Sequence, residues 1–96
     1  MGEKLVVHTL VNEVIDGAIR NVTLTVKNLE NDVLSITMYI DIEKCQACSQ
    51  KININTSFDL ELIIKAFQYI LCELHDRGID SISIANAKGI DIEKRE

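Results

Sequence analysis

Between residues 19 and 77 the spacing of apolar side chains changes period, and this change limits the fold more than any other feature of the chain. Over 19–27 the apolar positions are Val22, Leu24 and Val26, with Asn21, Thr23, Thr25 and Lys27 between them. The alternation returns over 33–42, where Leu34, Ile36, Met38, Ile40 and Ile42 are set against Ser35, Thr37, Tyr39 and Asp41. A period of two is that of a strand with one buried face. From Phe58 to Arg77 the period lengthens: Leu60, Ile63, Ile64, Phe67, Ile70, Leu71 and Leu74 form one broad stripe at helical spacing.

The flanks extend this pattern. Residues 5–15 are rich in β-branched side chains and stop at Asp16-Gly17, a pair that favours a tight hairpin. Asn28 to Asp32 supply turn chemistry through their side chains. Lys51 to Asn55 predict a short fourth strand and residues 81–85 a fifth. Thr56 or Ser57 is placed to cap the helix, with Asp59 completing a capping box, and Gly78 to end it. Residues 86–96, closing on Glu93-Lys94-Arg95-Glu96, read as a frayed charged tail. The expected architecture is α+β: a single domain over 1–96, with one mostly antiparallel sheet of about five strands in β-β-β-β-α-β order. One long helix packs on one face of the sheet.

All three cysteines and one of the two histidines fall into a paired spacing. Cys45 and Cys48 form C-x2-C; after a gap of 23 residues, Cys72 and His75 form C-x2-H. That is the spacing of a tetrahedral Cys3His zinc site, closed and therefore structural. Helix and strand lengths allow the four to meet. From Ser57 to Cys72 a helix advances about 22 Å, and from Ser49 to Asn55 a strand covers about 20 Å, so Cys72 returns to the end of the sheet that carries the first pair. Lys44 and Lys51 flank the loop and would offset the charge of three thiolates. Zinc would also suit a core with only 4% aromatic residues and no tryptophan. Two other readings of the same residues stand beside it: buried unpaired thiols, and a redox pair at Cys45 and Cys48.

Other classes are excluded or disfavoured. Net charge is −5 and no Lys/Arg cluster tracks a phosphate backbone, which argues against direct nucleic-acid binding. No apolar run approaches the roughly 20 residues of a membrane span. The start carries no signal-peptide pattern, so the cytoplasm is the expected compartment. The four glycines are scattered, no G-x-S-x-G occurs, and His8 stands in a strand without a catalytic neighbour set. An enzyme is not expected. A second, narrower apolar strip on the helix, Leu62, Ala66 and Tyr69, is a candidate contact for a partner protein or a homodimer. The functional expectation is a non-enzymatic protein-interaction module stabilised by zinc. The alternatives are a small acidic inhibitor covering a basic, nucleic-acid-binding surface of an enzyme, and a thiol-dependent redox protein.

Overall fold

The computed structural model describes residues 4–84 and 90–93. Four strands, β1 (Leu5–Val14), β2 (Ile19–Asn28), β3 (Asn31–Asp41) and β4 (Gln46–Asn55), pair antiparallel in sequence order. Helix α1 (Leu60–Asp76) then carries the chain back, so β5 (Ser81–Ile84) joins β4 in parallel. A last strand, β6 (Ile90–Glu93), pairs with the other half of β4, also in parallel. β5 and β6 share one edge of β4, and the sheet runs β1-β2-β3-β4 and then this divided fifth position. The expected α+β architecture, with one helix against a mostly antiparallel sheet, is the one observed.

Alternation places the core. Val22, Leu24, Val26, Ile36, Met38 and Ile40 face α1 and are buried, and Leu62, Ile63, Ala66, Ile70 and Leu74 meet them from the helix. On the opposite face, polar side chains of β1, β2 and β3 are cross-linked to one another. Thr23 and Thr37 share a hydrogen bond of 2.9 Å, and Asn12 Nδ2 donates to Asn21 Oδ1 and Thr23 Oγ1.

Several local details depart from the sequence expectations. The β1–β2 connection is not a two-residue glycine turn, because Gly17 has no positive φ. Instead Asp16 Oδ1 accepts from the backbone N–H groups of Ala18 and Ile19, so the aspartate side chain closes the turn. The helix cap is Asp59 rather than Thr56 or Ser57, its Oδ1 accepting from Leu62 N at 3.1 Å. Asn55 takes up the preceding residues: its Oδ1 accepts from Ser57 N and Oγ, while its Nδ2 donates to the Asp32 carbonyl. At the other end Gly78, at φ 84°, follows the C-cap Arg77. Gly78 N donates to His75 O and Ile79 N to Leu74 O, the paired bonds that satisfy the last carbonyls of a helix. The expected tail is corrected in part, since residues 90–93 form β6; the rest of 86–96 lies outside the described residues.

Candidate functional site

β4 is longer than expected, and the difference decides the fate of the cysteines. It starts at Gln46, so Cys48 lies inside a strand rather than in a loop. Its neighbours Ala47 and Ser49 are both buried on the helix side. Successive side chains of a strand point to opposite faces, so Cys48 points to the outer face, beside its cross-strand partner Tyr39. Cys45 stands just before β4 at φ 54°, its Sγ 3.8 Å from the Ile42 carbonyl. Cys72 and His75 are one turn apart on α1, both exposed, on the other side of the sheet from Cys48.

The lengthwise match is nevertheless met. Asp80 N and Ser81 N, just past the helix, donate to the Cys45 carbonyl at 2.8 and 3.3 Å. The end of α1 therefore does return to the Cys45 end of the sheet. What separates the four residues is facing, not distance along the strand. Among the described residues no three His, Cys, Asp or Glu side chains gather as a group able to hold a metal ion, and the three thiols are free.

Cys72 and His75 instead rim a shallow hollow of about 450 Å³, together with Asp76 and Asp80. Its floor is apolar, made by Leu74, Ile79 and Ile82. A second hollow of about 310 Å³ lies under the β1–β2 end of the sheet, where Val22, Ile40 and Ile79 meet the side chains of Arg20 and Arg77. Arg77 is engaged there: its guanidinium donates to Glu73 Oε2 and to Thr9 Oγ1, all at 2.9 Å, tying the helix end to β1.

The helix surface also differs from the expected one. Leu62 and Ala66 are buried in the core and only Tyr69, 40% exposed, remains outside. The exposed apolar line is Leu60, Ile64 and Leu71, at 70%, 50% and 52% exposure, with half-buried Phe67 between them. At about 100° per residue these four fall within about 60° of one another around the helix. The helix is turned by about 70° from the orientation its large side chains suggest. Ala66 explains the turn. A methyl-sized side chain at the centre lets the helix lie close over β1, β2 and β3, and the bulkier residues are displaced to the flank. Sequence reasoning that weights large apolar residues misses this, and the signal available was the small residue between Leu62 and Ile70.

Apolar exposure also concentrates on β1 and the residue after it, at Val6, Leu10, Val11, Val14 and Ile15. No helix among the described residues is long and apolar enough to cross a membrane. No family model, no curated protein and no solved structure matches the chain.

Proposed function

We propose that this chain is a non-enzymatic interaction module that acts by binding another protein. The observation that carries the reading is the exposed line of Leu60, Ile64 and Leu71 on α1. Isolated exposed apolar residues need no explanation, but three on one helical line, with Phe67 between them, form a continuous ridge of the kind that docks in a groove. Zinc is not required for this role, and a Cys3His centre would need Cys48 to change faces. The partner contact therefore moves from Leu62, Ala66 and Tyr69 to the flank of the same helix.

Photo-crosslinking from position 64, in cells of the source organism, tests the proposal, with position 25 on the outer sheet face as control. A discrete protein adduct from position 64, lost when Leu60 and Leu71 are both changed to Lys, is the expected result. Equal and diffuse labelling from both positions would remove the basis for the reading. The net charge of −5 favours one particular second reading, the acidic inhibitor. It is selected instead if the adduct is a nucleic-acid-binding enzyme and the complex weakens steeply with salt.

A further inference from the structure

We infer that two copies of this chain pair through β1, edge to edge and antiparallel, about a twofold axis through His8. The inference concerns the sheet edge rather than the helix ridge and stands independently of the proposed partner contact.

Hydrogen-bond direction shows which groups of β1 are unused. Leu29 N donates to Lys4 O at one end of the β1–β2 ladder, and Ile15 N donates to Ile19 O at the other. Ile42 N donates to Ala18 O, which assigns the even residues of β2 to β3 and leaves its odd residues for β1. All three bonds agree. Val6, His8 and Leu10 turn their backbone groups toward β2, so Leu5, Val7, Thr9 and Val11 turn theirs to the open edge. Among the described residues no strand pairs with that edge.

Proteins commonly protect such an edge with lysine, proline or a very short strand. The regular part of β1 has none of these. From Leu5 to Asn12 the sequence is LVVHTLVN, without a carboxylate, an ammonium or a proline. No carboxylate or ammonium group therefore meets its own copy along the edge, although the chain as a whole is acidic. The β-bulge between Val11 and Glu13 ends the regular edge at Val11. Only one antiparallel register uses all four outward residues of both chains: Leu5 opposite Val11 of the second copy and Val7 opposite Thr9. Each such pair exchanges two hydrogen bonds.

The same register fixes the side chains. On the outer face, His8 meets His8 of the second copy and Val6 meets Leu10, both as close, non-hydrogen-bonded pairs. Val6 and Leu10 are exposed in the single chain and are covered in the pair. The axis stands perpendicular to the sheet, so both copies of α1 remain on one face of a continuous sheet.

Disulfide trapping tests the register. In such a pair Cα atoms are about 4.5 Å apart, within the range a disulfide spans. The His8→Cys variant is expected to form, under mild oxidation, a dimer linked through position 8 of both copies, identified by peptide mass mapping. Val6→Cys alone should not link through position 6, whereas a mixture of Val6→Cys and Leu10→Cys chains should link 6 to 10. Leu10→Lys, at a position 62% exposed and so harmless to the single chain, should weaken dimerisation in sedimentation by about tenfold or more. A monomer throughout a series from about micromolar to about millimolar protein overturns the inference. So does a dimer that resists Leu10→Lys and yields none of these crosslinks.

Discussion

Ser49 and Cys48 are adjacent in β4 and show what one position along a strand decides. Ser49 faces the core opposite Met38, and its Oγ is buried without a hydrogen-bond partner among the described residues. A lone buried hydroxyl costs about 1–3 kcal/mol of lost solvation. Ser49→Ala removes that cost with little change in volume. It should raise stability by about 1 kcal/mol, read as a higher urea midpoint at unchanged slope. Cys48 faces the other way, toward the side of the sheet opposite Cys72 and His75. Protein purified without chelator is expected to carry well under one zinc per chain by elemental analysis. Cys72→Ser, at an exposed helix position, should change stability by no more than about 0.5 kcal/mol. One bound zinc per chain, lost with Cys72, would mean that β4 takes a different register in solution.

The helix is the element whose orientation was hardest to read. Its start and stop follow local rules, since Asp59 caps one end and Gly78 takes the left-handed conformation at the other. Which face it buries is a packing result, governed by Ala66 and by the distance of approach to the sheet. Two substitutions separate the observed orientation from the expected one. Ala66→Lys forces a charge and a long side chain into a fully buried site, and should cost at least about 3 kcal/mol or abolish folding. Ile64→Lys adds the same group on the exposed flank, and its thermal midpoint should stay within a few degrees of the parent. If the stripe centred on Phe67, with Ile64 inside it, were the buried one, the two outcomes would be exchanged.

Across the whole molecule, the sheet is sheltered at one edge and open at the other. β4 is covered by β5 and β6, whereas among the described residues β1 has a partner on one side only. Amide hydrogen exchange on dilute protein should therefore alternate along β1. Val6, His8 and Leu10 should be protected by β2, and Leu5, Val7, Thr9 and Val11 should exchange rapidly. Raising the protein concentration should slow the second set selectively. Uniform protection at low concentration would contradict the assigned hydrogen-bond directions.

Order and type of the elements from β1 to β5 were legible because they depend on neighbours a few residues apart; β6, read as tail, was not. A period of two across Val22–Ile42, a period of 3.6 across Leu60–Leu74 and a glycine at position 78 each act through local geometry. The meander of β1 to β4 and the return of α1 to the Cys45 end of the sheet followed from those lengths. Facing did not follow. Whether Cys48 looks toward the helix depends on where β4 begins to pair with β3, and one residue reverses the answer. Which flank of α1 is wet depends on how closely Ala66 lets it approach strands distant in sequence. Both are contacts between remote segments, settled only when the sheet and helix close on a shared core.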